Sequence, residues 1–467
     1  MNDTDLGYAT AAELAALVRT RRIAPSELLE ATLRRIAAQE PRLNAFATLD
    51  AEGARRQARA ADARLMQGGE LPPLLGVPAT IKDLTDVAGL PTERGSHTLK
   101  GFVAKADCPT AARLRAAGAV ILGKTTTSEY GWTGVSRSPL TGITHNPWRH
   151  GYNAGASSAG AGVAAAAGYG PLHQGSDGAG SIRMPSHFVG VYGLKPTYGR
   201  IPNLPVPNND QASHIGPMTR TVADAALLLK IAAGPHPLDH TSLESPPADY
   251  PALLGAGVRG LRVAFSPDLG HARVDPEVAA LVRKAAEAFQ GLGCHVEEVK
   301  TAFGPDGPSI IRHLWPAHLH RLAHHLPAFE ARMDAGLVAC IREGQGRTQE
   351  DYLLARQRKL AYVEQVHRLF LDWDLLLTPA VSVAAFPAER LQPAHWPQHP
   401  WDWIQWAEFS YPFNFSGNPA ASIPCGMTAE GLPVGLQIVG RRFADLTVLQ
   451  ASAAFEAARP WPLRPPL

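Results

Sequence analysis

The sequence predicts an α/β fold in which a central mixed β-sheet is covered by helices on both faces. Short apolar runs of strand length alternate with segments of helical periodicity between about residues 72 and 235, and again over 260–300. Continuous apolar strands are typical of a sheet with two buried faces. With 467 residues and 45% hydrophobic content, the chain can bury a large core, in one α/β domain or in two or three domains.

Two helices are predicted over residues 10–40. Thr10 and Glu13 have the spacing of a capping box, and Leu14 begins an apolar pattern with helical spacing directly after it. Ser26 precedes a second run of the same kind. We therefore expect Ser26 to cap the second helix.

The same criteria predict further elements along the chain. Helices are expected over 110–117, 221–230 and 275–290, and strands over 119–122, 261–265, 295–299 and 375–379. Residues 310–370 are expected to be mostly helical. The Pro-rich stretches at 202–207, 235–251 and 386–400 are interpreted as connections between elements.

Composition narrows the class of protein. The formal net charge is +2 and only 18% of residues are charged, with no basic stripe and no acidic tail, so a small or neutral substrate is expected rather than nucleic acid. The four cysteines show neither close pairing nor a CxxC motif, so no disulfide framework and no zinc site is expected. The polar start is unlike a signal peptide, and the longest small-apolar run, 160–170, is too short to span a bilayer. We therefore expect a cytoplasmic protein without a membrane partner.

Two serines and one lysine are the candidate reactive groups. Ser157 and Ser181 each lie in a loop of small residues, and Lys82 follows a short apolar run. A serine hydroxyl needs a base within hydrogen-bond reach to act as a nucleophile. A Gly/Ala loop lets backbone N–H groups approach a reacting carbonyl oxygen. Together these groups indicate acyl transfer at a carbonyl.

Other motifs are weaker. Residues 118–125 fit the phosphate-loop pattern G-x-x-x-x-G-K-[ST], but their middle is predicted to be a strand, whereas a phosphate cradle is a loop that follows a strand. The histidines between His313 and His325 have no carboxylate or cysteine at ligand spacing, so no metal site is expected. Neither serine lies in G-x-S-x-G, which disfavours a Ser-His-Asp hydrolase; His173 and His187 are interpreted as structural.

Several longer segments occur in a fixed order along the chain. They are residues 76–83, 118–125, 146–148, 154–185, 193–200, 216–224, 419–424 and 431–437. By these segments the chain resembles the amidase signature family. The resemblance runs from about residue 10 to 240 and resumes over 374–442.

The resemblance implies the amidase signature fold in one domain, residues 1–467. Its core would span about 72–235, a helical and lid-like insertion about 305–370, and a C-terminal part, 371–467, would return to the core. No cofactor is implied. Dimerisation is common in the family, although no segment of this sequence indicates it.

The resemblance also implies a Ser-Ser-Lys triad. Ser181 would be the nucleophile, Ser157 the bridge, with its backbone in a cis peptide, and Lys82 the base. A lysine has an ordinary pKa of about 10.4, so Lys82 must be desolvated to accept a proton at pH 7. A hydroxyl both donates and accepts, so Ser157 can link Ser181 to Lys82.

The oxyanion hole implied by the resemblance consists of the backbone N–H groups of Gly178, Ala179, Gly180 and Ser181. The supporting residues it implies are Ser158, Asp177 and Arg183. The family usually has glycine at position 179. Because a residue with a Cβ resists positive φ, either Ala179 has a negative φ or the hole is reshaped.

The substrate is less defined by the sequence. Trp132, Trp315 and Trp406 lie outside the catalytic segments. They either pack a lid or core, or line an apolar funnel for aryl or hydrophobic acyl amides, including anilides and carbamates.

Three functions follow from these observations. The favoured one is a stand-alone amidase that hydrolyses a carboxylic amide C–N bond through a serine acyl-enzyme. The alternative is the A-type subunit of a glutamine-dependent amidotransferase complex, which would need partner proteins for turnover. An inactive binding protein on the same scaffold is disfavoured because Lys82, Ser157 and Ser181 are all present.

Overall fold

The computed structural model describes residues 2–300, 303–461 and 464–467, and within these ranges eleven strands form one mixed β-sheet. In chain order the strands are β1 (Phe46–Leu49), β2 (Pro78–Lys82), β3 (Val120–Thr125), β4 (Arg137–Ser138), β5 (Gly142–Ile143), β6 (Leu172–Asp177), β7 (Tyr192–Lys195), β8 (His214–Thr219), β9 (Arg262–Phe265), β10 (His295–Glu298), β11 (Leu375–Pro379), β12 (Ala420–Met427) and β13 (Pro433–Gly440). Strands β4 and β5 pair with each other outside the large sheet.

The helices are α1 (Asp3–Tyr8), α2 (Ala11–Arg19), α3 (Pro25–Leu43), α4 (Ala51–Gln67), α5 (Pro109–Ala116), α6 (Ala159–Ala167), α7 (Arg183–Val189), α8 (Val222–Ala232), α9 (Tyr250–Leu253), α10 (Pro276–Gly291), α11 (Gly307–Leu319), α12 (Leu326–Phe329), α13 (Ala335–Gln345), α14 (Gln349–Asp372), α15 (Tyr411–Phe415) and α16 (Asp445–Ala458).

The strand order across the sheet is β1-β3-β2-β6-β8-β7-β12-β13-β11-β9-β10. Pairing is parallel in two places, where β2 lies between β3 and β6, and where β9 lies between β11 and β10. The remaining neighbours are antiparallel. The mixed sheet predicted from the sequence is confirmed.

Strand β13 shows that helices cover both faces. Val434, Leu436 and Ile438 belong to the apolar cluster that α10 and α16 build on one face. The intervening residues point the other way: a Cβ on Gly435 would lie 3.2 Å from the backbone of His187 on α7. Successive side chains of a strand alternate between faces, so the whole strand is buried.

Most predicted elements are confirmed, with one correction at a helix start. Thr10 and Glu13 form the predicted capping box. Ser26, however, does not cap the second helix: α3 begins at Pro25, and the N–H of Ala24 donates to the Glu27 carboxylate at 2.9 Å. A proline fits the first helical position because its missing N–H would have had no partner there, and this preference overrides the serine.

The segment that fits the phosphate-loop pattern, residues 118–125, contains a strand, as predicted. Residues 120–125 form the buried strand β3, after a turn at Gly118 with φ +87°. Lys124 points into the protein, where its Nζ lies 3.1 Å from Asp83 Oδ1. The segment is therefore part of the sheet.

The chain leaves the sheet after β10 and returns to it at β11. Helices α11, α13 and α14 lie in between, and the predicted helical character of 310–370 is confirmed. Side chains of α11 and α13 pack with Trp132, Trp403 and Trp406 in one apolar cluster. Among the residues that the structure describes, no helix has the length and apolar composition needed to cross a bilayer.

Candidate active site

Lys82 ends β2 and is completely buried. Its N–H donates to Gln174 Oε1 on the adjacent strand β6 at 2.9 Å, which fixes the backbone. Its Nζ lies 2.7 Å from Ser157 Oγ, 2.9 Å from Ser158 Oγ and 3.0 Å from Ser176 Oγ. Three hydroxyl groups thus surround one amine.

The amine of Lys82 has no anionic partner in direct contact among the described residues. Burial lowers the pKa of Lys82 well below its ordinary value of 10.5, and the charge of Asp177 opposes this shift only in part. A desolvated ammonium without a paired carboxylate favours loss of its proton. Lys82 can therefore act as a base.

The loop before α6 carries two of the three hydroxyls. The Ala156–Ser157 peptide bond is cis, as the resemblance implies. Ser158 Oγ donates to the carbonyl of Ser176 at 3.0 Å, and the N–H of Ser158 donates to the carbonyl of Ser181 at 3.1 Å. These bonds join the loop to β6 and to the loop that follows it.

The hydrogen atoms around Lys82 identify one route for a proton. The hydroxyl hydrogen of Ser158 is used by the carbonyl of Ser176. A neutral amine has two hydrogens, which the oxygens of Ser158 and Ser176 can accept, and one lone pair. Ser157 is then the hydroxyl that can donate to that lone pair.

Ser181 lies near the end of the loop after β6, two residues before α7 begins at Arg183. It lines the same cavity as Ser157 and Ser176, and its side chain is almost buried. Among the described residues, its Oγ has no hydrogen-bond partner, and no direct bond joins it to Ser157. Ser181 therefore presents a free hydroxyl to whatever occupies the cavity.

Asp177 holds the loop that carries Ser181. Its carboxylate accepts the N–H groups of Gly180 at 2.6 Å and Ile182 at 3.1 Å, and pairs with Arg183 Nη2 at 2.9 Å. Burial alone would raise the pKa of Asp177, but the charge and hydrogen bonds of Arg183 outweigh burial and hold it well below its usual range. The carboxylate stays ionised and keeps the loop fixed.

Arg183 is in turn held by the C-terminal part of the chain. Its Nη1 donates to Gln437 Oε1 at 2.8 Å and to the carbonyl of Ser410 at 2.9 Å, and its Nη2 donates to Asn414 Oδ1 at 2.6 Å. All of these groups are buried. The loop that carries Ser181 is thus held by elements far along the sequence.

The backbone donors near Ser181 differ from the set that the resemblance implies. The N–H of Gly180 is occupied by Asp177, so in this structure it is not available to a substrate. Within the described ranges, the N–H groups of Gly178, Ala179 and Ser181 have no protein acceptor. Ala179 is not among the residues with positive φ, whereas Gly180 has φ +111°. An alanine at 179 is therefore compatible with this backbone.

The three tryptophans separate into two groups. Trp132 and Trp315 line the cavity, which has a volume of about 280 Å³, and Trp315 Nε1 donates to the carbonyl of Trp132 at 3.1 Å. Trp406 does not line it. Its ring is fully buried outside the cavity lining and lies close to Gly134. Its Nε1 donates to the carbonyl of Leu391 at 3.0 Å.

Sequence reasoning missed Ser176, Asn414 and Gln437. Ser176 could have been found, because Gln174 and Ser176 are two residues apart on β6 and therefore lie on the same face of that strand. Strand β6 is the neighbour of β2, which ends at Lys82. Asn414 and Gln437 have no local signature, since only the fold brings them to Arg183. No group of three or more potential metal ligands occurs in the described ranges.

A model of the amidase family matches residues 27–449. The chain belongs to the amidase family. The amidase is 40% identical to the acylamidase of Rhodococcus erythropolis, over 99% of this chain and 98% of that protein. It is 35% identical to the A-type subunit of the glutamyl-tRNA(Gln) amidotransferase of Roseiflexus sp. (strain RS-1), over 94% of each chain.

A solved structure supports the same family assignment. A bacterial aryl acylamidase of the amidase signature enzymes superposes with a TM-score of 0.91 and 31% identity, covering 97% of each chain. The fold and the family are thereby shown together. This amidase is a hydrolase that acts on carboxylic amide C–N bonds other than peptide bonds.

Proposed function

We propose that this amidase cleaves an aryl or hydrophobic acyl amide through an acyl-enzyme on Ser181, with Ser157 and Lys82 as the proton relay. The observation that carries the proposal is the environment of Lys82. A fully buried amine without a carboxylate partner lies 2.7 Å from Ser157 Oγ, beside the cavity that Ser181 lines. This arrangement supports a base at neutral pH.

In the proposed reaction the Ser181 hydroxyl attacks the carbonyl carbon. Its proton passes to Ser157 while the proton of Ser157 passes to Lys82. Free N–H groups of Gly178, Ala179 and Ser181 stabilise the oxyanion. The proton returns through Ser157 to the leaving nitrogen, the C–N bond breaks, and water then hydrolyses the ester on Ser181 by the same relay.

The aromatic side chains that line the cavity favour a substrate with an apolar portion. Tyr130, Trp132, Trp315 and Phe415 line the space around the serines. Aromatic side chains offer large apolar surfaces to acyl chains and aryl rings. The names of the related acylamidase and aryl acylamidase support the same substrate class.

Amine release from the purified chain tests the proposal. We expect Ser181→Ala to lower release from butyranilide by ~10³-fold or more, because the nucleophile is removed. Ser452→Ala is the matched control, since Ser452 is a buried serine on α16 outside the cavity. Release that persists in Ser181→Ala would contradict the assignment of the nucleophile.

The relationship to the amidotransferase of Roseiflexus supports a second candidate. An A-type subunit would release ammonia from glutamine only together with its partner proteins. Turnover of anilides by the chain alone supports the stand-alone enzyme. If the chain alone is inactive on every amide and gains glutaminase activity with partner proteins, the second candidate is correct.

A further inference from the structure

The charged side chains that line the cavity are positive. Its lining includes two arginines, Arg94 and Arg321, and none of the described residues that line it is an aspartate or glutamate. The lining histidine, His318, already faces a carboxylate, since its Nε2 lies 3.2 Å from Asp210 Oδ2. The chain as a whole has a net charge of only +2, so this concentration of positive charge belongs to the cavity itself.

Neither arginine is neutralised by the described residues. Arg94 makes no side-chain hydrogen bond there, and its Nε is a buried atom without a partner. Arg321 makes one bond, from Nη1 to the carbonyl of His318 at 3.3 Å. Arg94 is half-buried and Arg321 is exposed. Two guanidinium groups with unused donors therefore line the same cavity.

Arg94 is also tied to the loop beside the serines. Its carbonyl accepts the N–H of Tyr130 at 2.8 Å. The next residue, Gly131, passes so close to Ser157 that a Cβ there would lie 3.1 Å from Ser157 Oγ. The arginines and the reactive hydroxyls thus border one continuous cavity, with Trp132 and Trp315 in its wall.

We propose that the substrate carries a carboxylate in addition to the scissile amide, and that Arg94 and Arg321 bind this carboxylate. The inference rests on the proposed function and specifies its substrate class: an anionic amide with an apolar portion. A carboxylate that pairs with Arg94 would offset the partial desolvation of its guanidinium, whose Nε is buried without a partner among the described residues. A guanidinium offers a carboxylate two parallel hydrogen bonds, so two arginines suit this group well.

Three matched substrates test the inference and locate the carboxylate. Butyranilide is neutral, succinanilic acid carries the carboxylate on the acyl side, and 4-butyramidobenzoate carries it on the amine side. We expect one of the two anionic amides to have a kcat/KM at least about 10-fold above that of butyranilide. The preferred one identifies the side on which the arginines act.

The arginine variants provide the second half of the test. Arg321→Gln and Arg94→Gln should lower kcat/KM for the preferred anionic amide more than for butyranilide, so that the ratio of the two values falls toward 1. Arg94→Lys should restore part of the preference, which a purely structural role of Arg94 would not predict. Arg59→Gln, an exposed position on α4 outside the cavity, is the control for loss of positive charge.

Failure of this inference can be told apart from failure of the proposed function. If butyranilide is hydrolysed in a Ser181-dependent manner and neither carboxylate is preferred, the inference is wrong while the nucleophile assignment stands. If none of the three amides is hydrolysed, their binding to Ser181→Ala is measured by calorimetry. Equal or absent binding of the anionic and neutral amides would then overturn the inference.

Discussion

Gly180 shows how a single residue sets the backbone geometry beside Ser181. Its φ of +111° is unfavourable for any residue with a Cβ, and a Cβ there would lie 2.4 Å from Ser410 Oγ. Gly178 is not among the glycines with positive φ, and the nearest atom to a Cβ there is Ser213 Oγ at 3.3 Å. The backbone therefore requires a glycine at position 180 but not at position 178.

We expect Gly180→Ala to lower the free energy of unfolding by about 2–4 kcal/mol, from backbone strain plus overpacking. Because the same loop carries Ser181, amine release should fall as well. Gly178→Ala is the matched control and should lose less than about 1 kcal/mol. Urea denaturation measures both variants, and equal losses would contradict the distinction between the two glycines.

At this scale the sequence identified the reactive side chains better than their surroundings. Lys82 and Ser157 are brought together as the family resemblance implied, and Ser181 lines the same cavity. Which N–H groups remain free could not be predicted, because that depends on where the Asp177 carboxylate points. Their catalytic roles remain predictions until the variants are measured.

At the scale of elements, the loop between β7 and β8 is held against the helical segment by Asp210. This carboxylate accepts from Tyr352 OH at 2.9 Å and pairs with Arg356 Nε at 2.9 Å, while Lys359 Nζ donates to the carbonyl of Asp210 at 2.7 Å. Residues 203–209 of the same loop line the cavity. Helix α14 therefore positions one wall of the active site.

We expect Asp210→Asn to raise KM by ~3- to 10-fold with a smaller change in kcat, because the loop loses its charged attachment while the serines are untouched. Steady-state kinetics on butyranilide measure the effect. Asp306→Asn is the control, since Asp306 forms an exposed ion pair with Arg358 of α14. A loss confined to kcat would contradict a positioning role for Asp210.

The sequence analysis assigned some elements, such as α10, and left others, such as α4 and α16, unassigned. Helix α10 has a strong apolar period and was predicted within one residue of its bounds. Helix α4 buries mainly Gly53, Ala54, Ala58 and Ala61, whose small side chains give little contrast with the exposed face. The strand order could not be predicted either, because pairings such as β2 with β6 join distant segments.

At the scale of the whole molecule, buried carboxyl groups make stability depend on pH. Burial raises the pKa of Glu40 to about 7, although the N–H of Phe46 donates to Oε1 at 2.7 Å and opposes the shift. The other oxygen, Oε2, is buried as well. Between pH 4.5 and 7 the folded state holds this proton more tightly than the unfolded state, so the contribution of Glu40 to stability falls as pH rises through 7.

We expect Glu40→Gln to gain stability relative to wild type as pH rises from 5 to 8, by about 1–3 kcal/mol. Urea denaturation at the two pH values measures the difference. Glu364→Gln, at an exposed position paired with Arg368, is the control and should show little change between them. A difference that stays constant with pH would show that the Glu40 carboxyl is not held protonated.

The contacts of Arg183 have a consequence for the order in which the protein is made. The partners that hold its guanidinium lie 227, 231 and 254 positions further along the chain. A ribosome would finish Lys82, Ser157 and Ser181 long before it adds those partners. Until strand β13 is in the sheet, a nascent chain contains Lys82, Ser157 and Ser181 but lacks the groups that hold the loop of Ser181. We therefore expect this loop to become fixed only after β13 has been synthesised and has joined the sheet.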